Sequence, residues 1–313
     1  MNELLVSVSP HIRDGATTRG IMRDVIIALA PAAAASVIIF GARAALVVAF
    51  CAVACPLLEA AYEKALGRKA TAGDLSACVT GVLLAFNLPV GIPLWKAFVG
   101  CAAAIILVKQ LFGGLGKNFA NPAITARIVM LLAFPAAMAA WACGGGLFGE
   151  TYDAVTGATP LTMIAQGNTG ALPPLSAMLL GVRGGCLGET SAVALALGGV
   201  YLLARRVITW HAPAAFILTV FVFSALLGRD PVYQVLSGGL LLGAIFMATD
   251  YVTTPQTAAG RLVFGLGAGL ITVIIRAYGS YPEGVSFSIL LMNILTPYIG
   301  RLTAKKAFGG ADA

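Results

Sequence analysis

The chain is a succession of apolar runs, each about 20 residues long, separated by short stretches of charge, glycine and proline. The runs fall at 23–41, 45–63, 74–90, 95–112, 122–142, 187–204, 212–228, 232–249, 262–277 and 284–300. They predict about ten membrane spans in an all-α polytopic membrane protein. One long connection, 142–186, separates the fifth run from the sixth. It divides the chain into an N-terminal membrane half (1–141), an outer loop (142–186) and a C-terminal membrane half (187–313). The run from Val25 to Phe40 has no small-residue cleavage site near its end, so it reads as a retained anchor.

Composition agrees. Hydrophobic residues make up 59% of the 313, charged residues only 11%, and mean hydropathy is +0.92. A soluble domain carries about 25% charged residues, so this chain could not solvate a globule of its size. That excludes a soluble enzyme, a disordered chain and a DNA-binding domain. The net charge of +7 is therefore no sign of a nucleic-acid partner, because Lys and Arg gather on the cytoplasmic loops of membrane proteins. Here the minority face holds Arg43, Lys96, Arg183, Arg229 and Arg276, and most other cations collect on the opposite face. The bias predicts both termini inside and the long loop outside. The six cysteines lack CxxC spacing and read as buried small hydrophobes.

The two halves echo each other. Thr80-Gly81-Val82-Leu83-Leu84 opens the third run and Ser237-Gly238-Gly239-Leu240-Leu241 the eighth. Each run ends in a proline-marked break, at Asn87-Leu88-Pro89 and between Thr249 and Pro255, and a later helix in each half starts at Pro122 or Pro282. Five spans per half give the halves opposite orientation. The pattern predicts two inverted repeats with broken helices, a plan common among transporters.

The outer loop contains Asp153-Ala154-Val155-Thr156-Gly157-Ala158-Thr159. This sequence resembles the acceptor motif of extracytoplasmic flavin transferases, which join FMN to its last threonine through a phosphoester. Thr159 is then the acceptor. Asp153, Thr156, Gly157 and Ala158 form the rest of the motif, with Thr156 at the recognition position. The charge distribution independently puts this loop on the side where such a transferase works.

Further segments extend the likeness over nearly the whole chain. They include Pro10-His11-Ile12-Arg13, Ile21-Met22-Arg23-Asp24-Val25, Leu84-Ala85-Phe86-Asn87-Leu88-Pro89 and Gly116-Lys117-Asn118-Phe119-Ala120-Asn121-Pro122-Ala123. Gly188-Glu189-Thr190-Ser191-Ala192, Phe246-Met247-Ala248-Thr249-Asp250 and Tyr281-Pro282-Glu283-Gly284 follow in order. Together they resemble the RnfD family, membrane components of ion-translocating ferredoxin:NAD oxidoreductase (Rnf) complexes. The related NqrB component of the sodium-pumping NADH:quinone oxidoreductase is similar to the same segments but carries a longer N-terminal extension.

The resemblance implies an electron-carrying subunit in the cell inner membrane, with covalent FMN at Thr159 and a second, non-covalent flavin, usually riboflavin, in the bundle. Electrons would pass from reduced ferredoxin to NAD, coupled to outward movement of Na⁺ or H⁺. Implied partners are the other Rnf components (RnfA, RnfB, RnfC, RnfE and RnfG), a maturing flavin transferase and the lipid bilayer. No nucleotide-binding context for NAD is present in this chain. The alternatives are the NqrB component of the quinone reductase and a cofactor-free channel or transporter on the same plan; the motif from Asp153 to Thr159 separates the latter.

Several polar residues near or within the runs are further candidates. Arg183, Glu189 and Thr190 lie where they could meet the flavin, although Glu189 equally suits a helix cap, as does Glu283. Asp250 and Thr249, in the break of the eighth run, offer oxygens for a hard cation on an ion path, or a cap. Glu59 suggests a salt bridge to Lys64, and Arg127 must find an acceptor that the sequence does not name.

Overall fold

The computed structural model describes residues 17–68, 71–142, 159–168, 170, 172–189, 191–279 and 283–304. Among them there is no β-strand. Four helices are long and apolar enough to cross a bilayer: α1 (Thr18–Phe40), α2 (Ala42–Ala65), α13 (Ala258–Tyr278) and α14 (Val285–Thr303). Between them lie α3 (Ser76–Phe86), α4 (Leu94–Ala102), α5 (Pro122–Ala133), α6 (Pro135–Met138), α7 (Pro160–Ala165), α8 (Leu175–Leu180), α9 (Ala192–Ala204), α10 (His211–Leu226), α11 (Pro231–Leu236) and α12 (Leu240–Leu242).

Every expected apolar run contains helix, but six are shorter or interrupted. The run 74–90 becomes α3, whose 11 residues reach only about 16 Å. Run 95–112 starts as α4 and continues as a π-helix over Ala103–Gln110. Run 232–249 splits at Gly238 and Gly239, both at positive φ, before α12 passes into a π-helical turn over Gly243–Met247. Local chemistry sets these boundaries. Asn121 caps α5, its side chain accepting from the N–H groups of Ala123 (3.0 Å) and Ile124 (3.4 Å), and Pro122 takes the first helical position. Asp230 and Pro231 do the same for α11.

Some helices pair with sequence neighbours and others across the length of the chain. Helix α1 packs on α9 and α5 on α14, while α2 packs on α3 and α10 on α13. Glycines make three of these approaches close, as small residues do between membrane helices. A Cβ at Gly81 would overlap the Cys51 carbonyl of α2, and one at Gly198 the Ala28 carbonyl of α1. Gly265 meets the Ala212 carbonyl of α10 in the same way. The ends of the short helices then meet across the halves: the N–H of Leu187 donates to the Leu88 carbonyl (3.1 Å) and that of Gly188 to the Phe86 carbonyl (3.0 Å). Non-helical backbone in a membrane chain needs such partners.

One buried ionic network ties α2 to the π-helix. Glu59 is fully buried and pairs with Lys109 at 2.7 Å, not with Lys64. Gln110 donates to Glu59 (2.7 Å) and Glu63 (3.2 Å), and Lys109 also donates to Ser76 Oγ (2.6 Å). Residues five apart on an α-helix point in different directions, which is why Lys64 turns out to solvent or lipid while Glu59 turns in.

The packing makes two contacts testable. Gly198→Leu should separate α1 from α9 and destabilise the fold by at least ~1–3 kcal/mol, visible as a lowered midpoint in a detergent thermal-shift assay; an unchanged midpoint would show the contact to be dispensable. Lys109→Met strips Glu59 of its counter-charge, and breaking one side of such a pair costs about 3–5 kcal/mol. The variant should lose folded yield in size-exclusion profiles, and Lys109→Met combined with Glu59→Met should recover part of it.

Candidate functional site

Thr159 starts α7. Its backbone is extended (φ −68°, ψ 154°), Pro160 follows at the first helical position, and its Oγ accepts from the Thr162 N–H at 3.3 Å. The Thr162 hydroxyl donates back to the Thr159 carbonyl at 2.7 Å. Side chains of both threonines face a cavity of about 210 Å³ bounded by α5, α6 and the start of α14. Its apolar wall includes Leu131, Met138, Trp141 and Phe287; its polar end is Arg127 and Glu283. This is a hydroxyl beside an apolar slot that ends in a charged pair, a donor set that suits a tethered aromatic group with polar edges. The other motif residues, Asp153, Thr156, Gly157 and Ala158, lie outside the described residues, as do Thr190 and Pro282.

Arg127, on the buried face of α5, is the centre of the polar end. It donates to Asn87 Oδ1 at the end of α3 (2.8 Å), to Cys186 Sγ (3.5 Å) and, in a close ion pair, to Glu283 just before α14. Asn87 is itself fixed, its amide donating to the Leu83 carbonyl at 2.6 Å. Cys186 Sγ and one carboxylate oxygen each of Glu189 and Glu283 lie within 4.8 Å of one another. Such a trio has the reach to hold a metal ion, but Arg127 already donates to two of its members, so the guanidinium occupies that seat.

Glu189 is 5% exposed and its Oε2 has no hydrogen-bond partner. It does not cap α9: Ser191 does, accepting from the Ala194 N–H at 3.3 Å. Glu283 likewise does not cap α14, whose N-cap is Gly284. Arg183 and Arg276, both buried, hold the carbonyl end of α11. Arg183 donates to the Leu236 (2.6 Å) and Glu189 (3.0 Å) carbonyls, and Arg276 to that of Ser237 (2.9 Å). Burial pulls the Arg183 pKa below its ordinary value, while the neighbouring Glu189 opposes the shift. Thus the structure puts Thr159 on the cavity wall and Arg183 and Glu189 off it, linked to it through the Arg127 network. It adds Arg127, Asn87, Cys186 and Glu283, whose association no sequence spacing announced.

Asp250 and Thr249 are elsewhere. They line a second cavity, of about 100 Å³, together with Ser76, Lys109, Asn118 and Asn121. Asp250 is engaged in its own turn, accepting from Thr253 Oγ (3.1 Å) and the Val252 N–H (3.4 Å), and Thr249 donates to the Ile245 carbonyl (2.7 Å). The carboxylate closes a local turn and caps no helix, since the next helix, α13, is capped by Thr257, and it also borders the cavity.

Comparison with known proteins gives one consistent picture. The family model described as NQR2, RnfD, RnfE matches residues 5–309. The D component of the Na⁺-translocating ferredoxin:NAD⁺ oxidoreductase complex of Acetobacterium woodii is 48% identical over 313 residues, covering 99% of this chain and 97% of the relative. The D component of the proton-translocating ferredoxin:NAD⁺ oxidoreductase complex of Clostridium ljungdahlii is 41% identical, covering 98% of this chain and 97% of the relative. Its counterpart in an ion-translocating oxidoreductase complex of Halorhodospira halophila is 39% identical, covering 99% and 96%. Near-complete coverage on both sides, with a membrane-type helical fold, is decisive: the chain belongs to the NQR2, RnfD, RnfE family, among its RnfD members.

Proposed function

We propose that this chain is the RnfD membrane component of an ion-translocating ferredoxin:NAD oxidoreductase complex and carries electrons through FMN esterified to Thr159. The observation that carries the reading is that the motif's last threonine stands on the wall of an apolar cavity that the Arg127–Glu283 pair also lines. When bound, the flavin supplies the redox chemistry; the protein supplies placement and electrostatics. Thr159 Oγ provides the tether. Trp141, Met138 and Phe287 exclude water, and Arg127 presents positive charge to a polar ring edge or a phosphate. The second cavity suits the non-covalent riboflavin, because the amides of Asn118 and Asn121 and the hydroxyl of Ser76 match a polar ribityl chain. The ten spans in two inverted repeats, with both termini inside, belong to the same reading. The pairing of α1 with α9 and of α5 with α14 supports it, as does the cation asymmetry. The other Rnf components and a flavin transferase are its partners, and the inner membrane its location.

Two outcomes test this. Purified from a host with a flavin transferase, the wild-type chain should fluoresce in a denaturing gel and Thr159→Val should not; fluorescence that persists in the variant moves the acceptor elsewhere. If Asp250 stands on the ion path, Asp250→Asn in the assembled complex should cut Na⁺ or H⁺ uptake into vesicles at least tenfold relative to electron flow. Full uptake would remove Asp250 from the path.

A further inference from the structure

The charged cluster behind the Thr159 cavity is not balanced. Three buried guanidinium groups, those of Arg127, Arg183 and Arg276, stand against two carboxylates, Glu189 and Glu283. Arg183 and Arg276 are taken up by carbonyls at the end of α11, whereas Arg127 borders the cavity itself. Its charge is partly offset by the paired Glu283 and by Glu189, whose free Oε2 has no hydrogen-bond partner. Gly239, held at φ +62°, backs onto both groups. A Cβ there would lie 3.7 Å from Arg127 Nη1 and 3.8 Å from Glu189 Oε2, so glycine puts no side chain of its own between the two charges. Charges so placed in a low-dielectric interior act strongly on anything beside them.

We propose that this cluster sets the reduction potential of the flavin carried at Thr159: Arg127 faces the ring, and Glu189 and Glu283 are positioning residues that attenuate its charge. The proposal rests on the attachment reading above and goes beyond it. Two electrons and one proton, delivered from the complex's low-potential reductant, leave a flavin ring with one added negative charge. A cation near the ring therefore favours the reduced form, and a carboxylate disfavours it. Glu189 is the most informative member of the cluster. A buried carboxylate oxygen without a hydrogen bond is costly, and neither capping nor an ion pair accounts for it. Its Oε2 stands instead on the same side of Gly239 as Arg127 Nη1, each under 4 Å from one point.

The test uses the full chain matured by a flavin transferase, with in-gel fluorescence to establish attachment and a redox titration of the attached flavin; Thr159→Val supplies the baseline from any other flavin. Glu189→Gln should move the reduced-to-oxidised ratio about tenfold toward reduced, an upward shift of ~30 mV for a two-electron couple. Arg127→Gln should move it at least as far the other way, and Arg127→Lys should stay near wild type. If Glu189→Gln and Arg127→Gln fluoresce normally and titrate with the wild-type midpoint, the proposal falls while the attachment reading stands. No fluorescence in the wild type overturns both. Should the variants fail to fold, the wild type alone decides. Its reduced-minus-oxidised infrared spectrum should contain guanidinium bands that shift on ¹⁵N-arginine labelling and vanish in Thr159→Val, and a spectrum without them would overturn the proposal.

Discussion

A guanidinium buried in an apolar bundle must be matched by acceptors from wherever the chain can bring them, and Arg127 draws them from both halves. Asn87 comes from the end of α3, Cys186 from the segment before α9 and Glu283 from the entry to α14. Leaving such a group uncompensated in a membrane chain costs several kcal/mol. The halves can therefore dock only in the register that delivers all three. The close glycine contacts serve that register: Gly188 has no room for a Cβ against Phe86, and its N–H bonds the Phe86 carbonyl. Packing, backbone pairing and charge compensation converge on one junction, and the Thr159 cavity opens beside it.

The π-helix over Ala103–Gln110 solves a related problem on another side of the same half. Consecutive residues on an α-helix diverge by about 100°, yet Lys109 and Gln110 both reach Glu59. Widening the turn lets neighbours share a target, and such distortions concentrate where side chains must be aimed. The π-helical turn at Gly243–Met247 similarly precedes Thr249 and Asp250. One π-helical stretch thus carries a polar group that borders the second cavity, Lys109, and the other stands just before one, Asp250.

What the sequence revealed follows from how local each signal is. Each apolar run marked helix, because hydropathy needs no partner, but the short helices α7 and α8 fall in the connection 142–186, which no run covered. The runs overstated helix length at 74–90 and 232–249, since apolar residues around Asn87-Leu88-Pro89 or Gly238-Gly239 continue the hydropathy signal after the helix has ended. Pro122 was readable as a helix start and proved to be one, whereas the start of α7 at Thr159-Pro160 lay within what read only as a loop motif. Capping, the alternative role for Glu189 and Glu283 because an acid before a helix usually caps it, is not what they do; Ser191 and Gly284 hold those positions. The Arg127–Glu283 pair spans 156 residues, and nothing in either local segment points to the other. Family resemblance supplied the expectation about Thr159, and geometry supplied the cavity it faces.

The threonine proposed for attachment also has a structural duty, and the two are compatible for a physical reason. Thr159 caps a helix of only six residues by accepting a hydrogen bond at Oγ. A phosphoester there would remove the hydroxyl hydrogen and leave a weaker acceptor. A cap needs only acceptance, and the bond it makes is long at 3.3 Å. The turn is held independently by Thr162, whose hydroxyl donates to the Thr159 carbonyl at 2.7 Å, and by the fixed φ of Pro160. Esterification would therefore weaken the less important of two bonds. A threonine-proline start followed by a second threonine would let one side chain carry a tethered group without loosening the wall on which that group would rest.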